Sequence, residues 1–411
     1  MKLFSRVEET DQYIVALDIG TVYTKALIAK LIDDKLRVVG VGRARQETGN
    51  MFGGAIADIT GVVKNCEVAL AKAEDQAGVQ AKKVVIGIAG EFVKGITSTI
   101  RYKRPNPDHQ LSEAEMQLII DKVQERAATK AQKQIAFETG NPDVEVKLVN
   151  AAIVSIHIDG YKVSNPIGFQ GKDVAIQIYT AFAPMVHIGA LERTANELDL
   201  ELVAVAAEPF AVARAVLGAD ESPNYTAILC DVGGGSTDIG VEGTKCFGVA
   251  GRSFTKTIGG DLSIGYEAAE KLKLNIDGGK IKPNVLRTVN ESIDNTLDVW
   301  ISGVQLALSE FDAIDHLPNK FLLCGGGSSL GALVDRLETS NWYKDLPFSR
   351  RPIIKHVRPS DVSGIEDETG EITDHTLITA LGLLRVGYDT MESVTGTKET
   401  FRDKIDRVLR I

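Results

Sequence analysis

Cysteine is scarce in this chain: 411 residues hold four, Cys66, Cys230, Cys246 and Cys324, with no Cys-x-x-Cys spacing. That argues against a disulfide scaffold and a thiolate metal site, and predicts reduced, buried thiols in a cytosolic protein. Basic charge is not in excess either. The net charge is −10 at pH 7, where a nucleic-acid protein would usually present a basic surface, so no nucleic-acid partner is expected and any polyanion site must be local. No run reaches the roughly 18 continuous apolar residues of a membrane span. The opening Met1-Lys2-Leu3-Phe4-Ser5-Arg6-Val7 is too short and polar for a signal peptide, and Glu8-Glu9-Thr10-Asp11 follows at once. What remains is a chain with 44% hydrophobic residues, long enough for about two or three domains with real cores.

Its organising stretch is Leu229-Cys230-Asp231-Val232-Gly233-Gly234-Gly235-Ser236-Thr237-Asp238-Ile239-Gly240. The apolar run Thr226 to Leu229 reads as a buried strand that ends at an acid, and three glycines then free the backbone to turn. Successive N–H groups in such a turn make an anion-binding nest, Asp231 can hold a hydrated Mg²⁺, and Thr237 can offer a hydroxyl. A surface turn would also explain a lone glycine triplet. An echo lies near the N-terminus, where Tyr13 to Leu17 leads to Asp18, then Ile19-Gly20-Thr21 and Thr24-Lys25. Two copies of strand, acid, glycine and hydroxyl predict two similar half-domains that present matching hairpins to one phosphate chain. A third cluster, Cys324-Gly325-Gly326-Gly327-Ser328-Ser329, again follows an apolar strand and opens a helical segment.

In this order the three motifs resemble the two phosphate motifs and the adenosine motif of the actin-like ATPase superfamily. Ala207-Glu208-Pro209-Phe210-Ala211-Val212-Ala213 looks like its first connecting helix, whose Glu aligns the attacking water, and Thr379-Ala380-Leu381-Gly382-Leu383-Leu384 resembles the second. The resemblance spans about residues 13 to 387. It implies an α/β, actin-like fold of duplicated ribonuclease H-like halves that binds ATP with Mg²⁺. Asp18 and Asp231 would serve the metal, since Mg²⁺ completes its shell with carboxylates, phosphates and water. Gly20, Thr21, Lys25, Gly233, Gly234, Gly235, Thr237, Gly325, Gly326, Gly327 and Ser328 would hold the nucleotide. Hydrolysis then needs N–H donors, the cation and one positioned water, with Glu208 as the orienting residue. The plainer readings are a helix-terminal acid at Glu208, simple strand-end acids at Asp18 and Asp231, and a surface lysine at Lys25.

Between the halves, residues 84 to about 165 do not fit a nucleotide-binding half-domain. Val84 to Ala89 and Gly95 to Tyr102 read as strands, Ser112 as an N-cap before a helix toward Lys133, and Val149 to Ile158 as another strand. This is a small inserted α+β subdomain, placed as in the bacterial cell-division family FtsA, and residues 159 to 171 and the segment from Gly53 to Gly78 resemble the same family. The expected layout is residues 1–83 and 166–221 for the first half, with 376–388 returning to it, 84–165 for the insertion and 222–375 for the second half. Residues 389–397 read as a linker and 398–411 as an amphipathic tail. Further expectations are a strand from Leu36 to Val41, a helix from Ile59 to Ala77, and helices from Val186 to Leu198 and Glu291 to Phe311. Gly259-Gly260-Asp261 should close a sheet, Leu262 to Leu274 should be one helix, and 365–370 a solvated loop. Arg101-Tyr102-Lys103-Arg104-Pro105 reads as a solvated strand end. FtsA-like chains line the adenosine with an Ala-Glu pair and a Lys; Lys282 takes the Lys place without an acid before it, while Ala268-Ala269-Glu270-Lys271-Leu272-Lys273 offers a second register.

No pattern supports a sugar kinase or a chaperone with a separate peptide-binding domain. The resemblance to FtsA implies a filament of like copies that links the tubulin-like division protein FtsZ to anionic membrane lipid at the cytoplasmic face. The alternative, a nucleotide-loaded adaptor like PilM, would serve type IV pilus or secretion assembly. In the tail, Phe401, Ile405, Val408 and Leu409 fall at i, i+4, i+7 and i+8, with Lys398, Arg402, Lys404, Arg407 and Arg410 flanking or opposing them. A last helix on the protein's own core would look the same by composition. FtsA chains end in a linker and a basic membrane-surface helix, which favours the membrane reading.

Overall fold

The computed structural model describes residues 12–32, 35–90, 93–217, 226–241, 243–279, 281–311 and 314–395. The amphipathic tail lies outside the described residues. Along the chain, β1 (Tyr13–Ile19), β2 (Tyr23–Ile32) and β3 (Lys35–Arg45) form an antiparallel meander. The short hairpin β4 (Met51–Phe52) and β5 (Ala55–Ile56) leads into α1 (Ile59–Ala77), then β6 (Lys83–Ile88). The insertion follows, with β7 (Lys94–Lys103), α2 (Glu113–Thr139), β8 (Val146–Ile158), β9 (Tyr161–Val163) and β10 (Asp173–Pro184). Next come α3 (Met185–Glu197), β11 (Glu201–Ala207) and α4 (Glu208–Val216). The second half holds β12 (Ile228–Val232), β13 (Thr237–Gly240), β14 (Thr244–Phe247), α5 (Gly251–Asp261), α6 (Tyr266–Leu274), α7 (Pro283–Ser309), β15 (Lys320–Cys324), α8 (Gly331–Thr339) and β16 (Ile353–His356). Last are β17 (Ile365–Asp367) and α9 (Ile378–Thr395).

Strand order shows the duplication. The first sheet runs β11-β6-β1-β2-β3-β17 and the second β14-β13-β12-β15-β16. In the first, β1 is antiparallel to β2, β2 to β3, and β6 parallel to β1 and β11. In the second, β12 is antiparallel to β13, β13 to β14, and β15 parallel to β12 and β16. β1 and β12 therefore occupy equivalent central places, and each carries an acid one residue before its end, ahead of a hairpin turn. Both strands are continuous apolar runs because helices cover their faces.

One face of the first sheet packs under α1 and α3, with Val62, Cys66, Leu70 and Ile188 in that core. Its other face packs under α4 and α9. Glycine sets the closest approaches: a Cβ at Gly42 would sit 1.8 Å from Ala69 O of α1, and one at Gly382 2.5 Å from Ala211 O where α9 crosses α4. The second sheet is covered by α5, α7 and α8 around Phe254, Trp300 and Phe321.

The α1 and α3 expectations hold within a residue. Several others are corrected. Gly259-Gly260-Asp261 ends α5 instead of closing a sheet, because Phe254 and Ile258, four apart, bury one helical face. The single helix expected from Leu262 is broken by a turn with Ser263 at φ 52°, and α6 starts only at Tyr266. The acidic 365–370 run is not wholly loop: Ile365–Asp367 pairs with β3, and Glu366 and Glu368 meet Lys35 at 2.7 Å and Arg37 at 3.1 Å. Arg104 is not solvated but 5% exposed, with two hydrogen bonds, 2.9 and 2.8 Å, to Glu115 in the first turn of α2. The insertion departs from the expected 84–165 at both ends: Lys83–Ile88 is β6 of the first sheet, parallel to β1 and β11, and the insertion's own sheet, β7-β10-β8-β9, runs from Lys94 through Pro184. Residues 389–395 continue α9 instead of forming a linker, since Asp389 is paired with Arg214 at 2.6 Å and Arg385 at 3.0 Å.

Candidate functional site

The two central strands deliver their acids to a cleft of ≈ 530 Å³ between the halves, a volume suited to a small-molecule ligand. The hairpin turns meet tip to tip: a Cβ on Gly234 would lie 2.2 Å from Val22 Cγ2, and one on Gly235 2.7 Å from Thr21 Oγ1. Gly20 N–H donates to Tyr23 O at 3.1 Å, and Gly233 N–H to Ser236 O at 2.9 Å, so each turn is closed by its own backbone. Gly325, at φ 79°, lies so near Asp231 that a Cβ would fall 2.1 Å from its Oδ1. The third glycine cluster is thereby packed beside the second.

Four carboxylates, Asp18, Glu208, Asp231 and Asp238, line the hairpin end of this cleft around one lysine. Lys25 Nζ bonds Asp18 Oδ2 at 2.8 Å. Burial lowers the Lys25 ammonium's pKa, but Asp18, Asp231 and Glu208 more than offset this, so it ends above the ordinary value. Burial, reinforced by Asp18, Asp231 and Asp238, pushes Glu208 well above the usual carboxylate range. Asp231 is also pushed up by burial, against a 2.6 Å bond from Thr379 Oγ1 of α9 and the attraction of Lys25. Asp238 is pushed up to about 7 by burial and by Asp231, despite bonds from Cys246, from Ser236 Oγ at 3.1 Å and from Gly90 N–H. Such a site disfavours further negative charge unless a cation accompanies it.

Among the described residues, no group of three or more His, Cys, Asp or Glu side chains is placed to hold a metal on protein ligands alone. Mg²⁺ does not need such a cage, because one or two carboxylates with phosphate oxygens and water complete its shell. The buried acids would fit a cation that arrives with a phosphate chain, and Asp18 and Asp231, near the ends of the two central strands, are the candidates to hold it.

Of the residues read from the sequence, Asp18, Gly20, Thr21, Lys25, Glu208, Asp231, Gly233, Gly234, Gly325, Gly326 and Gly327 line the cleft. Gly235 sits behind Thr21. Thr237 turns inward, its hydroxyl donating to Val249 O at 2.8 Å and accepting from Trp300 Nε1 at 2.9 Å. Ser328 is buried, bonded to Gly325 O at 2.7 Å. Lys282 is exposed at the start of α7 and does not line the cleft. The far wall instead comes from α6, with Glu270, Lys271 and Lys273 of the earlier string. Lys273 Nζ bonds Glu270, Gly251 O and Thr255 Oγ1, each at 2.9 Å, and Glu270 also accepts from Thr255. Asp238 was missed, although it lies two residues from Ser236 in the organising stretch. So was Arg45, which joins Glu267 in a two-bond pair at 2.8 and 2.7 Å between the halves.

No protein-family model matches the chain. It is similar to the cell division protein FtsA of Enterococcus hirae, 24% identical over 347 residues that make up 78% of this chain and 74% of that protein. Similarity to FtsA of Pseudomonas aeruginosa is 25% over 361 residues, 80% of this chain and 81% of that protein. In structure it resembles a chain of the PilM-PilN type IV pilus biogenesis complex, with a TM-score of 0.65 over 91% of this chain and 98% of that one, at 18% identity. The chain has the actin-like ATPase fold. The FtsA resemblance carried by the motifs is thus found again along most of the sequence. Within the actin-like fold, the cleft lies where the two duplicated halves face each other. Among the described residues no helix is long and apolar enough to cross a membrane.

The raised acids predict a pH dependence. Folded Asp238 keeps its proton up to about pH 7, whereas in an unfolded chain it ionises near pH 4, so the folded state binds the extra proton between those values. This group's contribution to stability is present at the low end of that window and is lost as the pH rises through about 7. Thermal unfolding of the nucleotide-free protein should show that loss, and Asp238→Asn should flatten it. An unchanged slope in the variant would show that Asp238 is ionised throughout.

Proposed function

We propose that this protein is an FtsA-like ATP-binding protein that assembles with copies of itself and ties a tubulin-like FtsZ ring to the inner face of the cytoplasmic membrane during division. The observation that carries the nucleotide part is the cleft itself: two glycine hairpins from equivalent central strands, with buried acids that call for a cation. The FtsA relatives support the division role. In this reading the Lys25 ammonium and the backbone N–H groups that the two hairpin turns do not use to close themselves face the phosphates. Mg²⁺ held by Asp18 and Asp231 would neutralise phosphate charge. Glu208, in the first turn of α4, orients the attacking water. Burial pushes the Glu208 carboxyl away from the charged form that best accepts a water's proton, which suits slow turnover. Glu270, Lys271 and Lys273 take the adenosine side.

Isothermal titration should show ATP binding that strengthens with Mg²⁺; no binding in either condition would sink the nucleotide reading. Asp231→Ala should weaken the Mg²⁺-dependent part by about tenfold or more, the scale of a lost charged partner. Glu208→Ala should bind normally and hydrolyse more slowly, and unchanged turnover would remove Glu208 from its role.

Phe401, Ile405, Val408 and Leu409 are proposed to enter the acyl boundary while the flanking basic residues meet anionic headgroups. Removal of residues 398 to 411 should abolish co-sedimentation with anionic vesicles and leave the thermal midpoint in place. Retained binding, or unfolding, would assign the tail to another role.

A second reading, a nucleotide-loaded adaptor of type IV pilus or secretion assembly, draws on the likeness to the PilM-PilN complex. Capture from the native cytosol separates the two. The division reading expects the tubulin-like protein, and recovery of a pilus inner-membrane protein instead would replace it.

A further inference from the structure

The insertion meets the second half at a partly buried contact on the far side of the glycine turn. β13 and β14 form a short hairpin whose one end adjoins the Gly233 to Gly235 turn and whose tip reaches β7. There Thr244 Oγ1 accepts Gly95 N–H at 2.8 Å. Gly95 is buried, and a Cβ on it would lie 2.3 Å from Thr244 Oγ1 and 2.6 Å from Tyr179 Oη, so any larger residue would force the contact apart. Gly243 at the tip approaches equally closely, its Cβ position 2.8 Å from Gly95 O. Tyr179 of β10 stacks on Phe210, with centroids 5.8 Å apart and planes at 2°. Phe210 stands two residues after Glu208 on α4, and the intervening Pro209 packs against Gly240 of the same hairpin.

One detail makes this contact more than packing. The Tyr179 hydroxyl is buried with no partner at hydrogen-bonding geometry, although Thr244 stands beside it. A buried, unpaired hydroxyl is costly, and a small displacement of the hairpin toward it would give it a partner. The Thr244 oxygen can accept from both Gly95 N–H and Tyr179 O–H.

We propose that Thr244 and Tyr179 form a joint through which nucleotide in the cleft sets the position of the insertion and of Glu208. The proposal rests on the nucleotide reading given above. Thr244 and Tyr179 are positioning residues: phosphate at the glycine turn shifts the hairpin, the hydroxyls pair, and the ring stack carries the shift to the first turn of α4. The joint has two arrangements, unpaired and paired, and the ligand favours the second.

Hydrogen exchange and kinetics on the full chain test it. In the wild type, ATP with Mg²⁺ should slow exchange across residues 94–103 by about fivefold, the fold-change of one ordinary hydrogen bond. Tyr179→Phe keeps the stack and removes the hydroxyl. It should abolish that ATP-dependent slowing and lower kcat about fivefold, while the ATP dissociation constant stays within about twofold. Thr244→Val should behave likewise and also speed exchange at Gly95 without nucleotide, and Thr244→Ser should restore both. Wild-type protein that binds ATP without slowing exchange at 94–103, or variants that respond as the wild type does, would overturn the joint. If titration shows no ATP binding at all, the nucleotide reading fails separately. The Gly95 exchange of nucleotide-free Thr244→Val then still decides whether the contact holds the insertion, and no change there would overturn it too.

Discussion

The gathering of Asp18, Glu208, Asp231 and Asp238 around Lys25 is the constraint on which the rest of the structure depends. Carboxylates taken out of water and set near one another resist ionising, and burial pushes Glu208, Asp231 and Asp238 up from the usual carboxylate range. Five separate elements hold that arrangement, with Asp238 supplied by β13. β1 and β12 supply the strand-end acids, α4 supplies Glu208, and α9 supplies the Thr379 hydroxyl that partners Asp231.

Glycine makes the gathering sterically possible. At Gly234, Gly235 and Gly325 a Cβ would overlap Val22, Thr21 and Asp231, and at Gly382 it would overlap the backbone of α4. The first three let the hairpins and the third glycine cluster converge on one volume. The fourth lets α9 lie directly across α4, so the helices that carry Thr379 and Glu208 are packed as a pair beneath both sheets. The Arg45 to Glu267 pair adds a direct tie between β3 and α6, and because it is exposed its net contribution is small, on the order of 1 kcal/mol or less.

The insertion stands apart in composition of its core, with Met116, Ile119, Ile120 and Val123 of α2 against Ile156, Ile176 and Ile178 of its own sheet. It is nevertheless rooted at both ends in the cleft's surroundings. Gly90, just before it, donates its N–H to Asp238, and Gly95 meets Thr244. β10 leaves it as a strand that leads through α3 and β11 to α4.

The sequence by itself determined the local pieces whose signals are local. An apolar strand that ends in an acid and a glycine turn reads the same wherever it folds, so Asp18, Asp231 and the three glycine clusters were legible, as were α1 and α3 from their periodicity. It also determined the duplicated fold, because two equivalent strand-and-turn units need equivalent sheets. Tertiary structure alone decided the rest. Thr237 and Ser328 have the right hydroxyls, but packing against Trp300 and the Gly325 turn directs them inward. Lys282 and Lys273 are alike as residues, and only the break before α6 puts the second on the cleft wall. The pairing of 365–367 with β3, the burial of Arg104 and the helical run to Thr395 each depend on a partner distant in the chain. Asp238 shows the physical reason most plainly. Nothing in its neighbours announces a pKa near 7, since that value comes from burial and from the field of an acid on the adjacent strand, which exist only once the sheet has formed.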